Sequence, residues 1–269
     1  MIHSTAIVDA GAEIGKDVEI GPYAVIEGNV RIGDGSRIDA HAVVKAYTTM
    51  GARCRVHSGA VIGDEPQDLS FKGEPSYTVI GDDCTFREFA TVHRGAEPGS
   101  TTRLGNHIFM MACSHAAHNT VVGDYTILAN CVLLAGHVEV GDHCFLGGGT
   151  PVHQFTRIGR YAMVAGGSVL AKDLPPFCIT ASGVNSQVAG LNVVGLRRNG
   201  FTPLQRKQIK DLFNCIYREG LNLTQAREKI EAIPAEENPF AAEFAAFLAG
   251  TKRGLSQPGR DSFAAAPEG

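Results

Sequence analysis

Apolar residues return at every sixth position along most of this chain. The spacing is unbroken over residues 104–175, where the units open on Leu104, Met110, Ala116, Val122, Leu128, Leu134, Val140, Leu146, Val152, Ile158, Val164 and Leu170. Second positions are Gly or Ala except for Met111 and His153, and fifth positions carry no charge. A period of six fits neither an amphipathic helix nor a two-sided strand. It predicts a solenoid of short strands joined by corners, each unit stacked on the one a full coil away. Eleven more units fill residues 2–67, with second positions such as His3, Asp9, Glu27 and Lys45 that read as solvated corners. Two interruptions, at about 66–79 and 94–103, predict loops projecting from a corner, where binding residues concentrate.

After Pro175-Pro176 the period fails, and residues 177–199 read as a transition. Helices are expected next. The first starts at Pro203 behind the cap Thr202, carries a stripe of Leu204, Leu212, Phe213, Ile216 and Tyr217, and stops at Gly220. Others fit 224–233 and 239–248. The expected layout is mainly β: a parallel β-helix over residues 1–190, a helical domain over 191–253 closing its open end, and a mobile tail over 254–269 rich in Gly, Ser, Pro and Ala.

Composition narrows the classes. With 269 residues, 44% hydrophobic and 19% charged, the chain buries a sizeable core and is not disordered. A net charge of −4 argues against a nucleic-acid partner and leaves room for a local basic patch. Seven Cys with no C-x-x-C pair argue against a disulfide framework or a thiolate zinc site. Cys54, Cys84 and Cys144 fall at fifth positions and read as core filler. No run of eighteen apolar residues exists, and the repeat begins at Ile2 without a charged and apolar leader, so no integral membrane segment and a cytoplasmic location are expected.

Periodicity also places the chemistry. Positions eighteen apart stack, so His118, Gly136 and Gln154 share one column, and Asn119, His137 and Phe155 the next. His115 precedes the same corner and His153 adjoins Gln154. One coil rises by ~4.8 Å, so the group is compact. A solitary corner His is ordinarily a surface residue, and His41, His57, His107 and His143 are read so. Four imidazoles on one ridge contribute little to a core, which leaves a general base with substrate-holding partners, or a metal site.

The six-residue rule resembles the hexapeptide-repeat acyltransferases, which coil as a left-handed parallel β-helix with three flat faces and eighteen residues per coil. The general rule for parallel crossovers would by itself favour the right hand. The resemblance is closer to the UDP-N-acetylglucosamine O-acyltransferase branch. It is carried by Gln67-Asp68 with Gly73-Glu74-Pro75, Val92-His93-Arg94-Gly95, His115-Ala116-Ala117-His118, Leu134-Ala135-Gly136-His137-Val138, Val152-His153-Gln154-Phe155, Asp173-Leu174-Pro175-Pro176 and the run Gly195-Leu196-Arg197-Arg198-Asn199-Gly200-Phe201. These segments stand in family order along nearly the whole chain.

The resemblance implies transfer of a 3-hydroxyacyl group from acyl carrier protein to the 3-position of UDP-N-acetylglucosamine, the first step of lipid A biosynthesis. It implies a homotrimer with sites between neighbours and neither cofactor nor metal. Residue by residue, His118 matches the general base and Gly136 the backbone donor facing the oxyanion. Gln67, Asp68, His93, His115, His137, His153, Gln154 and Asn192 match positions that hold the nucleotide sugar. Gly166 matches the ruler of acyl length, and Arg197 and Arg198 the contact for the acidic carrier. Three positions depart: Asn119 stands where the family usually has an Asp that orients the base, Ser70 where relatives carry Lys, and Val194 where some carry Glu. Three alternatives accompany this reading. Acyl transfer to a 3-amino sugar is one, although the N-acyltransferase of the same pathway has an extra N-terminal domain for which a repeat starting at Ile2 leaves no room. A zinc carbonic anhydrase using His115, His118 and His137 is the second, and a non-catalytic scaffold the third.

Overall fold

The computed structural model describes residues 1–183 and 187–259. Three parallel sheets form the faces of a triangular prism. Face 1 runs from the strand Ile7–Val8 to Pro151–Val152, and face 2 from Glu13–Ile14 to Arg157–Ile158. Face 3 runs from Glu19–Ile20 to Met163–Val164 and is extended by Cys178–Thr180 and the antiparallel Val188–Leu191. The coil is left-handed, the hand implied by the resemblance and opposite to the general crossover rule.

The register explains the sequence pattern. Val8 pairs with Ile26 and His115 with Leu133, eighteen residues on, which stacks every first position on another. First and fifth positions point inward, and at the fifth even the hydroxyls Thr120, Thr126, Thr150 and Thr156 are fully buried. Fourth positions turn the corners in the left-handed backbone region, with φ from 55° at His107 to 65° at Phe177. That conformation costs roughly 1–2 kcal/mol for a residue with a Cβ. It also aims the N–H along the prism axis, so that His137 donates to the His118 carbonyl at 3.0 Å and Tyr161 to that of Asp142 at 2.8 Å.

Sixth positions point outward and distinguish the faces. Face 2 presents Glu13, Arg31, Arg103, Glu139 and Arg157, some joined across strands, as Arg31 is to Glu13 at 2.9 Å. Face 1 presents Ile7, Val25, Val43, Val61, Leu133 and Pro151, and the upper part of face 3 Phe109, Ile127, Phe145 and Met163. The insertions enter between faces 1 and 2: Ile62 pairs with Val92 thirty residues on, and Val92 with Ala116 twenty-four on. They occupy residues 65–76 and 94–100, because the strands Tyr77–Ile80 and Thr101–Leu104 begin earlier than the six-residue rule suggests.

Above the last coil lie four helices: α1 (Val193–Arg198), α2 (Pro203–Tyr217), α3 (Leu223–Glu231) and α4 (Ala241–Ala249). Helix α1 falls within the stretch read as a transition; its signal is Asn192, whose side chain caps the Gly195 N–H. Helix α2 starts in a capping box of Thr202 and Gln205, and its buried stripe is Ile209, Leu212, Phe213 and Cys215. Leu204, assigned to that stripe from the sequence, is 64% exposed, because a first-turn residue beside the cap points away from the coil. The helices pack around Phe177 and are bound to the prism by the Arg160–Glu243 ion pair at 2.7 Å. Residues 254–259, expected to be mobile, instead return to the last coil. The Ser256 N–H donates to the Asp173 carbonyl at 2.8 Å, the Val188 N–H to that of Gln257 at 2.9 Å, and Leu255 is buried. Residues 260–269 lie outside the described residues. No helix among the described residues is long and apolar enough to cross a membrane.

Candidate active site

The edge between faces 1 and 2 gathers the imidazoles. His118 occupies a third position and His137 the fourth position of the next coil, their rings edge to face at 5.2 Å and 88°. The space for this is Gly136. A Cβ there would stand 2.5 Å from the Cε1 and Nε2 atoms of His118, so only glycine lets the ring lie beneath that backbone. The Gly136 carbonyl accepts from the Phe155 N–H at 3.1 Å, while the Gly136 N–H makes no hydrogen bond with a described residue.

Asn119 holds the His118 ring. Its Oδ1 lies 3.0 Å from His118 Nδ1 and also accepts the Ala96 N–H at 2.9 Å, which identifies it as the carbonyl oxygen. His118 Nδ1 then carries the proton and Nε2 is left free, the tautomer a base on the substrate side requires. The backbone of Asn119 is itself fixed by Thr102 Oγ1 at 2.8 Å.

Both loops overhang this edge with carboxylates. Asp68 Oδ2 stands 3.8 Å from His118 Nε2, and Glu97 Oε1 stands 3.5 Å from His137 Nε2. Ser70 gives its backbone N–H and its hydroxyl to Asp68 Oδ1, both at 2.8 Å. These bonds hold the Asp68 carboxyl below its ordinary range, so Ser70 stabilises the anion.

Below His118 lie His93 and His115, edge to face at 4.7 Å. Burial pushes His115 down to about 4, with the like charges of His93 and His118 adding to the effect. Burial lowers His93 as well, against the opposing pull of Asp64. His115 Nδ1 is 2.7 Å from Thr91 Oγ1, and His93 Nδ1 is buried with no partner among the described residues. His153 and Gln154 sit exposed one coil above Gly136, with His153 Nδ1 turned to the Gln154 carbonyl at 3.0 Å. Gln67 is exposed on the first loop.

The remaining expected residues lie elsewhere in the chain. Asn192 is at the top of face 3 near the 2–3 edge, where its Nδ2 donates to the Tyr161 carbonyl at 2.9 Å, with Arg197 and Arg198 exposed on α1 beside it. A groove of about 630 Å³ lies between that helix and face 3, lined by Ile127, His143, Phe145, Met163, Asn192 and Arg198 among others. Gly166 is exposed on the 3–1 edge. Among the described residues no three His, Cys, Asp or Glu side chains converge on a metal position. The sequence reading missed Thr91, Glu97, Thr102 and Arg94. Thr102 and Glu97 had no signal, because both fall in the 94–103 interruption, which has no place in the register.

The chain matches the family profile described as Udp N-acetylglucosamine O-acyltransferase; Domain 2 over residues 173–256, and the Bacterial transferase hexapeptide (six repeats) profile over 11–46 and 29–64. It is 54% identical over 262 residues to the acyl-[acyl-carrier-protein]–UDP-N-acetylglucosamine O-acyltransferase of Cupriavidus metallidurans, covering 94% of this chain and 98% of that protein. To the protein of that name from Polynucleobacter asymbioticus it is 49% identical over 261 residues, with the same coverage. Among solved structures, Francisella novicida UDP-N-acetylglucosamine acyltransferase superposes with a TM-score of 0.93 at 36% identity over the full length of both chains. The Arabidopsis UDP-N-acetylglucosamine acyltransferase does so with 0.84 at 31% identity, covering 96% of this chain and 100% of that one.

Proposed function

The chain belongs to the acyl-[acyl-carrier-protein]–UDP-N-acetylglucosamine O-acyltransferases, and from that membership we propose that His118 is the base that moves an acyl group onto the sugar 3-hydroxyl. The observation that carries this reading is the pairing of a His118 whose Nδ1 is held by Asn119 with an unspent Gly136 N–H one coil above. As the hydroxyl oxygen attacks the thioester carbonyl carbon, its proton passes to His118 Nε2. The carbonyl electrons move onto oxygen, and the Gly136 N–H meets the resulting oxyanion. Collapse expels the carrier thiolate, which takes the proton back from the imidazolium. A positioned base contributes about 10²–10⁴ in rate, and an oxyanion donor roughly 3–4 kcal/mol of barrier. Gln67, Asp68, His93, His115, His137, His153 and Gln154 hold the nucleotide sugar around this edge. Burial keeps His93 and His115 neutral at working pH, so they serve as hydrogen-bonding groups rather than charges.

Asn192, Arg197 and Arg198 join this site from a neighbouring copy. Within one prism they lie near the 2–3 edge, away from His118, while face 1 and the upper part of face 3 are largely apolar outside and face 2 is charged. Three chains packed face 1 to face 3 would leave the charged face in water and bring the groove beside α1 against a neighbour's His118. The arginines then offer a basic contact to the acidic carrier protein. Gly166, with no side chain to obstruct the acyl end, suits a long 3-hydroxyacyl donor. Such an enzyme opens lipid A biosynthesis, drawing on two soluble cytoplasmic substrates.

The experiment is mass spectrometry of the product from purified protein, an acyl carrier thioester series, and UDP-N-acetylglucosamine or its 3-amino analogue. An O-acylated product carrying a long 3-hydroxyacyl chain is expected, and Gly166→Met should shift preference to shorter donors. Turnover of the amino sugar alone would overturn the acceptor assignment. An unchanged length profile would remove Gly166 from the ruler.

A further inference from the structure

Arg94 opens the second loop, yet its side chain belongs to the first. Only 7% of it is exposed, and its backbone N–H donates to the Asp64 carbonyl at 2.9 Å. The guanidinium reaches Glu65 Oε1 at 3.2 Å and lies 5.2 Å from the ring centroid of Phe71 and 5.4 Å from that of Tyr47. Its Nε is buried without a partner among the described residues.

A buried cation is costly unless it is well paired. Glu65 is 64% exposed on its side chain, so this ion pair is screened and weak by itself. What the guanidinium gains is two aromatic faces, one on the coil (Tyr47) and one on the loop (Phe71). An apolar residue would fill the space without gripping the loop at both its root, Glu65, and its middle, Phe71. Between those two points stands Asp68, 3.8 Å from His118. Backbone bonds from Gly95 to the Tyr77 carbonyl at 3.3 Å and from Gly99 to that of Pro75 at 2.8 Å make the two loops one unit.

We propose that Arg94 is the positioning residue for the nucleotide-sugar side of the site, clamping the loop of residues 65–76 so that Asp68 faces the base. The substrate assignment rests on the function proposed above; the clamp does not. The test compares Arg94→Met, which keeps bulk and loses the charge, with Arg94→Lys and Phe71→Ala. Arg94→Met should raise KM for UDP-N-acetylglucosamine about tenfold, leaving kcat and KM for the acyl carrier thioester within about twofold. It should also speed tryptic cleavage after the exposed Lys72. Arg94→Lys, which keeps a cation but not the planar stack, should recover part of both. Phe71→Ala breaks the stack from the loop and leaves the coil intact, so it decides the matter if Arg94→Met does not fold. Calorimetric titration with UDP-N-acetylglucosamine gives binding without turnover. Unchanged cleavage at Lys72 in Phe71→Ala would overturn the clamp. Faster cleavage with unchanged sugar affinity, or a parallel change for both substrates, would overturn its positioning role. An inactive parent protein with faster cleavage in the variants would instead count against the proposed function.

Discussion

Two edges of the prism carry histidines and use them differently. Along the 2–3 edge, His107, Tyr125, His143 and Tyr161 stack in parallel, at 4.4, 4.8 and 4.5 Å and within 13° of coplanar. Beside them, Asp124 and Asp142 each accept a backbone N–H from the coil below, at 2.7 and 2.9 Å. Ring faces and carboxylates are both consumed by the next coil. Along the 1–2 edge His137 still stacks on Phe155 at 4.7 Å, but Gly136 lets His118 turn edge-on to His137, and the two insertions bring Asp68 Oδ2 to 3.8 Å from His118 and Glu97 Oε1 to 3.5 Å from His137. His118 is left uncovered by what is missing above it, and it holds the third position that Asp124 and Asp142 hold on the other edge.

The sharpest way to break this comparison is His118→Ala. It should lower kcat by about two to four orders of magnitude with substrate binding nearly intact, whereas His143→Ala should leave the chemical step in place. Near-normal turnover by His118→Ala in steady-state assays would remove the distinction between the edges.

Adding a methyl to each edge sharpens it. Gly136→Ala drives a Cβ against the movable His118 ring, so kcat should fall about tenfold to a hundredfold with a small change in Tm. Gly123→Ala on the other edge meets the backbone of Asp142 at 2.6 Å and of Gly141 at 2.7 Å. It should cost about 1–3 kcal/mol of stability by denaturant titration while each folded molecule works normally.

Acid should act on the open edge. The pKa values of His93 and His115 are lower in the folded chain than in the unfolded one, so the unfolded chain binds more protons. The His115 contribution is complete above the ordinary histidine pKa of about 6.5 and is lost as pH falls from there towards about 4, by at most roughly 1.4 kcal/mol per unit for one proton, and His93 adds a loss of the same sign. Urea midpoints measured from pH 7.5 to 4 should fall accordingly, and His115→Gln should flatten the curve.

The smallest effect is Asn119→Asp. The carbonyl already accepts from both His118 and Ala96, so the substitution adds charge and little geometry. A rate rise of about threefold, or a shift of the pH–rate profile to higher pH, is expected. If neither moves, residue 119 orients the base without tuning it.

The same contrast explains what could be read from the sequence. Coil length, buried positions and the column of His118, Gly136 and Gln154 follow from strict stacking, and stacking is written in the period. Asp68 and Glu97 reach their imidazoles from insertions, where no period acts, and Glu97 matched no motif either. Helix α1 escaped because six residues are too few for a 3.6-residue pattern, and residues 254–259 because a composition suited to mobility takes order from the last coil. The apolar outside of face 1 and of the upper part of face 3 was present in the sixth positions, but only assignment of strands to faces separates it from the charged outside of face 2.

The eighteen-residue register also bears on how such a gene can change. Removing six residues between His118 and Gly136 would carry the glycine to another edge of the prism, and inserting eighteen would shift it by a whole coil, ~4.8 Å. Neither change can be absorbed gradually, so length variation within the coiled segment is all or nothing. The loops at 65–76 and 94–100, and the helices above the last coil, are the places where descendants of this gene can lengthen or shorten while the spacing between His118 and Gly136 is inherited intact.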